Sequence, residues 1–171
     1  MAVARTKLIC GLIFKETNNL KKAKKHLTAK FDRIDFESHF FDFNYTDYYE
    51  PEFGKGLLRQ FISFEGLVKP ENLATIKNHT INIEHRIALR GRRTVNIDPG
   101  YLDLSKLVLA TTKDFAHRIY LGAGIYAETT LIFKNKTFAP YDWTYPDYRT
   151  HLYIGIFNEI REIYSRQIKN P

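Results

Sequence analysis

Three short segments hold the residue types that acid–base and ligand chemistry requires. "NIDPGYLD", residues 96–103, places two carboxylates and a phenol, Asp98, Asp103 and Tyr101, within six residues. "HRIYLGAGIYAE", residues 117–128, reads as a hairpin with a three-residue loop of Gly122, Ala123 and Gly124, which sets Leu121 opposite Ile125. That register puts Arg118 across from Glu128 and Tyr120 across from Tyr126 on one polar and aromatic face. Ile119, Leu121, Ile125, Ala127, Leu131 and Phe133 then form the core face, with His117 at its end as a structural histidine. "APYDWTYPDYR", residues 139–149, gathers Trp143, Tyr145 and Asp147 among further aromatics and acids. A carboxylate beside a cation and aromatic walls can have its pKa retuned for proton transfer, so Glu128 and Asp98 are the candidate catalytic residues. Tyr101, Asp103, Lys113, Arg118, Tyr120, Tyr126, Trp143, Tyr145 and Asp147 are the candidate ligand-binding residues, with Arg118 or Lys113 holding an anion.

Each segment also has a plainer reading. Asp-Pro-Gly is the composition of a type II β-turn, with Pro99 presetting its own φ and Gly100 accepting a positive one. The Arg118/Glu128 pair reads equally as a surface ion pair, and Asp147 or Thr150 as a cap for a last helix. "YTDYYEPEFG", residues 45–54, repeats the acidic and aromatic character and could face the same cavity.

The elements that must position these residues are legible from periodicity. "KLICGLIF" reads as a central strand buried on both faces, which makes Cys10 a core residue. Thr17, Asn18 and Asn19 offer N-caps for a helix whose stripe is Leu20, Ala23, Leu27 and Phe31. Residues 36–45 and 59–67 read as strands joined by an "EPEFGKG" turn. Leu73, Ile76, Thr80, Ile83 and Ile87 mark a second helix, and Tyr153, Ile156, Phe157, Ile160, Ile163 and Tyr164 a last one. The order βαββαβ, then a hairpin and a helix, predicts a single α+β domain over residues 1–171: a mostly antiparallel sheet with helices packed on one face and a ferredoxin-like core.

Charge and missing motifs narrow the function. The chain carries a net charge of +7, but residues 1–30 hold eight basic groups against one acid, so the remainder is balanced. Lys21, Lys22, Lys24 and Lys25 lie off the apolar stripe of the first helix and read either as a solvated face or, with Arg86 to Arg93, as a nucleic-acid surface. A phosphate-loop GTPase and a dinucleotide-binding enzyme are disfavoured, since neither G-x-x-x-x-G-K-[ST] nor G-x-G-x-x-G occurs. Six histidines without metal spacing and one cysteine give no zinc motif; a magnesium site at Asp98, Asp103 and Glu128 is the weak alternative, no metal is assigned and the cofactor is unknown. The longest apolar run, residues 8–14, is too short to span a bilayer, and the expected location is cytoplasmic without a membrane partner.

"TDYYEPEFG", "VNIDPGYLDLSKLVLATTKD", "HRIYLGAGIYAETTL" and "WTYPDYR" resemble the uncharacterised prokaryotic domain of unknown function family 4416 over nearly the whole chain. The resemblance implies that Asp98, Pro99, Gly100, Tyr101, Lys113, Arg118, Tyr120, Glu128, Trp143, Tyr145, Pro146 and Asp147 lie in the family's motifs, and it implies no activity. The leading expectation is a protein, an enzyme or a binding protein, that holds a small polar ligand, a nucleotide or phosphorylated metabolite, in an acidic and aromatic pocket. The alternatives are a nucleic-acid-associated protein using the lysine face and a non-catalytic scaffold.

Overall fold

A computed structural model describes residues 3–169. The nine consecutive residues of β1 (Thr6–Phe14) are all buried, as a strand with a helix layer on each side must be. Leu8, Cys10, Leu12 and Phe14 pack against α1 (Thr17–Phe31) and α3 (Leu73–Arg86). Ile9 points the other way, into a second core closed by α4 (His151–Lys169). Between these elements come β2 (Ile34–Glu37), β3 (Phe41–Asp42), a short α2 (Glu50–Phe53) and β4 (Leu58–Val68). After α3 follow β5 (Val95–Leu102), β6 (Lys106–Thr111), β7 (Ile119–Gly122), β8 (Ile125–Lys134) and β9 (Thr137–Pro140).

All pairings are antiparallel, in the order β2-β4-β1-β5-β6-β8-β7, with β3 also on β4 and β9 also on β8. The first four long positions, β2-β4-β1-β5, reproduce the split βαβ connectivity expected from the element order. The α+β class and the antiparallel sheet hold. Helices on one face describe only α1 and α3, because the aromatic stripe of α4, with Tyr153, Phe157 and Tyr164, covers the opposite face. No helix among the described residues is long and apolar enough to cross a membrane.

Three local expectations give way. "EPEF" forms the single turn α2 rather than an open turn, with Pro51 inside its first turn. Glu16, not Thr17, Asn18 or Asn19, occupies the N-cap of α1, and its side chain makes no capping bond. The β7–β8 connection is a two-residue turn, with Ala123 at φ 53° and Gly124 at φ 76°, the pattern of a type I′ hairpin. Tyr120 does face Tyr126, but a shift at Leu121 pairs Gly122 with Ile125. β7 is an edge strand, so Ile119 and Leu121, expected in the core, are exposed.

Candidate functional site

The largest departure from the sequence reading builds the site. Asp98, Pro99 and Gly100 form no turn; they lie inside β5, paired with Gly11, Cys10 and Ile9 of β1. Gly100 does not have a positive φ, and its role is close approach: a Cβ there would fall 2.4 Å from the Val108 carbonyl of β6. Pro99 explains what happens next. Ile97 turns both its N–H and its C=O away from β1, so by strand alternation Pro99 presents its missing N–H to the β6 side. β5–β6 pairing accordingly stops at Gly100/Leu109, and the strands part.

Helix α3 supplies the absent strand partner. Lys77 Nζ donates to the Ile97 carbonyl at 3.0 Å, and Glu84 Oε1 accepts the Ile97 N–H at 2.6 Å. Both side chains are buried, and burial pushes the Glu84 carboxyl upward against the opposing pull of Lys77, the Ile97 N–H and Arg93. Beside this gap opens a cavity of about 570 Å³, in the range of small-molecule sites. Asn96 and Asp98 from β5, Leu109 to Thr111 from β6 and the α3 pair line one side. Phe43, Tyr45, Tyr48 and Tyr49 bring an aromatic wall from the segment after β3, and Tyr145 to Tyr148 close the third side.

Arg59 of β4 lies on the floor at 2% exposure. It reaches across β1 over Gly11, where a Cβ would meet its Nη2 at 2.6 Å, so only glycine leaves the path open. Nη2 donates to the Tyr148 hydroxyl at 2.8 Å, and the guanidinium carbon sits 4.8 Å from the Phe61 ring centroid and 5.4 Å from that of Phe43. Its nearest carboxylate is Asp98, 3.9 Å from Nη1, and Nε has no partner among the described residues. Aromatic faces offset part of the desolvation of a buried cation, but an ion without a tight counter-ion is costly inside a protein. Lys77 stands 3.7 Å from the other Asp98 oxygen, and Asn96 Nδ2 donates to Asp98 at 2.8 Å. Asp147 is buried at the same floor, and desolvation raises its carboxyl above the usual range, with Arg59 pulling the other way.

The remaining cations are held by the chain itself. Arg93 makes a fork to Glu52 of α2 at 2.9 and 2.7 Å and donates to Glu84 and Asn96, which locks α2 to α3 and β5. Those bonds hold the Glu52 carboxyl below the usual range. Arg118 donates through Nε to Glu128 at 2.8 Å, and His117 bonds the same carboxylate oxygen at 2.9 Å. Lys113 Nζ rests 3.8 Å from the centroid of Tyr48, bridging two loops at the mouth.

Of the residues read from sequence, Asp98, Glu128, Lys113, Arg118, Tyr145 and Asp147 line this cavity together, and Tyr45, Tyr48 and Tyr49 join them. Others go elsewhere. Tyr101 packs with Leu73 and Val108 on the α3 side, and Asp103 caps the β5–β6 turn through Ser105 and Lys106. That engagement separates Asp103 from Asp98 and Glu128, and no metal-binding group of acids, histidines and cysteine occurs among the described residues. Tyr120 and Tyr126 pair on the β7–β8 hairpin outside the cavity. Trp143 donates to the Thr129 carbonyl and stacks between Tyr141 and His117. Lys21, Lys22 and Lys25 are exposed on α1, Lys24 pairs with Glu37, and Arg93 leaves the expected basic cluster for the cavity.

The sequence reading missed Arg59, Lys77 and Glu84. A signal for the last two was present: they fall on the stripe of Leu73, Ile76, Thr80, Ile83 and Ile87, two charges on an otherwise apolar face. Compared with known proteins, residues 4–164 match the model of the domain of unknown function family DUF4416, and the chain belongs to that family. No curated protein and no solved structure matches it.

Proposed function

We propose that this member of the DUF4416 family binds a small polar ligand, a nucleotide or other phosphorylated metabolite, in the cavity between β5, β6 and α3. One observation carries the reading: Tyr45 to Tyr49, Asn96 and Asp98, Lys113, Arg118 and Glu128, and Tyr145 to Tyr148, distant in sequence, meet around one cavity with charged groups on its floor and tyrosines on its wall. Aromatic faces suit a planar or sugar-like body, and the cations suit its anionic group. Glu128, bonded by both Arg118 and His117, keeps Arg118 in place at the wall. Asp98, open to the cavity, accepts an O–H or N–H of the ligand and is the group placed to exchange a proton with it.

A thermal-shift panel of nucleotides, sugar phosphates and carboxylates, with and without magnesium, tests this. A ligand at 100 times its dissociation constant adds about 2.7 kcal/mol, which raises the midpoint of a domain this size by roughly 5–10 °C. The expected result is a shift from one compound class that disappears in Asp98→Ala and shrinks in Glu128→Gln. A flat panel, with a salt-sensitive shift from RNA or DNA instead, moves the function to the lysine face of α1.

A further inference from the structure

We propose that the cavity floor is an oxyanion site, in which Arg59 binds a phosphate, sulfate or carboxylate group together with one proton on Asp147. The assignment rests on the cavity being a ligand site and names the chemistry of its deep end. The neighbouring groups set the charge balance. Arg93 is matched by Glu52 and Glu84, and Arg118 by Glu128. With Lys113 resting on the Tyr48 ring at the mouth, the deep end holds Arg59 and Lys77 facing Asp98 and Asp147, two cations against two carboxylates. Arg59 is the unsaturated member: its Nη1 has no acceptor within hydrogen-bond reach among the described residues, although the side chain lines the cavity.

An arriving oxyanion completes the guanidinium but adds one negative charge as a carboxylate, or two as sulfate, to a floor already balanced and weakly screened. Asp147 is the carboxyl able to relieve that excess. It is 7% exposed, and its carboxyl is met by backbone alone, the Tyr148 N–H at 3.0 Å from Oδ1 and its own N–H. No side chain among the described residues donates to it, whereas Asp98 has Asn96 at 2.8 Å and Lys77 at 3.7 Å. The groups acting on Asp147 are Arg59 of β4, Asp98 of β5, Tyr148 beside it and Tyr153 of α4, whose hydroxyl is buried without a partner. Two tyrosines held above their ordinary range by burial supply no negative charge near neutrality, so the carboxyl pair and the ligand decide the protonation. Protonated, Asp147 turns from a repelling acceptor into a donor for a ligand oxygen.

Sulfate is the probe, because it stays a dianion from about pH 5 to 9 and so carries no titration of its own. Calorimetric titration at low ionic strength should show sulfate affinity falling with pH, towards tenfold per unit, with buffer-dependent heats reporting uptake of up to one proton. Asp147→Asn should bind sulfate with a flat pH profile. Arg59→Met should not bind it at any pH, and Arg59→Lys should bind it about tenfold more weakly with the slope kept. His85 also lines the cavity, so His85→Asn is the control and should leave the slope intact. A pH-independent wild-type affinity, an unchanged slope in Asp147→Asn or binding to Arg59→Met overturns the proposal. Absence of sulfate binding, while a neutral compound still stabilises the protein, overturns the oxyanion assignment alone; a flat panel removes the cavity reading with it.

Discussion

Two cations are buried in this sheet, and the chain treats them differently. Lys7 of β1 has no exposed surface, and its ammonium is bonded directly to Asp35 and to the Gln167 oxygen at 2.6 Å. Asp35 in turn accepts the Ser63 hydroxyl at 2.6 Å, and Gln167 at the end of α4 closes over the group. Burial pulls the Lys7 ammonium below the usual lysine range, with Asp35 opposing it. Arg59 is nearly as buried but has no carboxylate closer than 3.9 Å, an unpartnered Nε and an open cavity beside it. Lys7 is a latch between the sheet and the last helix, completed by its own chain. Arg59 is left incomplete by the chain, and on the proposed reading an anionic ligand completes it.

That contrast breaks first at the level of stability. Removing one partner of a buried pair leaves the other unmatched, so Lys7→Met should lower the unfolding free energy by about 3 kcal/mol in urea titration, the lower end of the usual cost because Asp35 is partly exposed. Arg59→Met should change it by no more than about 1 kcal/mol, since no tight pair is lost and a desolvated charge disappears. Equal losses at both sites would make Arg59 another structural ion. Gly11→Ala sharpens the comparison: the new methyl overlaps the Arg59 guanidinium and should cost about 2 kcal/mol while moving Arg59 off the floor, measured as lost stability and lost ligand shift together.

The pH dependence separates the two regions next. Asp147 and Glu84 are both held above the ordinary carboxyl range by burial. The folded state therefore keeps protons the unfolded chain has released. Their contribution is complete below the unfolded carboxyl pKa, about 4, and is lost as pH rises through the raised values. Asp147→Asn should gain stability relative to wild type across that rise, in urea midpoints taken at successive pH values, and a constant difference would show that Asp147 ionises normally. The smallest effect belongs to the surface: Lys24→Gln breaks the ion pair with Glu37 and should cost about 0.5 kcal/mol or less by thermal melt.

What the sequence revealed follows the same division. The stripes of α1, α3 and α4 and the all-buried β1 were legible because each depends on neighbours along the chain. The Tyr120/Tyr126 pairing came from hairpin arithmetic and survived a different turn type. Asp-Pro-Gly misled because its local preference for a turn is real, yet β1 pairs with all three residues and α3 provides the hydrogen bonds that Pro99 denies to β6. Arg59 was hidden because its importance depends on a glycine 48 positions earlier and on rings from β4, α4 and the segment after β3. Site residues gathered by tertiary packing carry no local pattern; Lys77 and Glu84 came nearest, as charges on an apolar stripe.

Whether the Arg59 charge is kept for a ligand is decided by the dissociation constant of the best anionic compound for wild type and Arg59→Met. A loss of about a hundredfold is expected, the cost of removing one side of a buried charge-assisted contact, with the ligand-free unfolding midpoint nearly unchanged. Equal affinity for the two proteins would contradict it, and would return Arg59 to the architecture of the sheet.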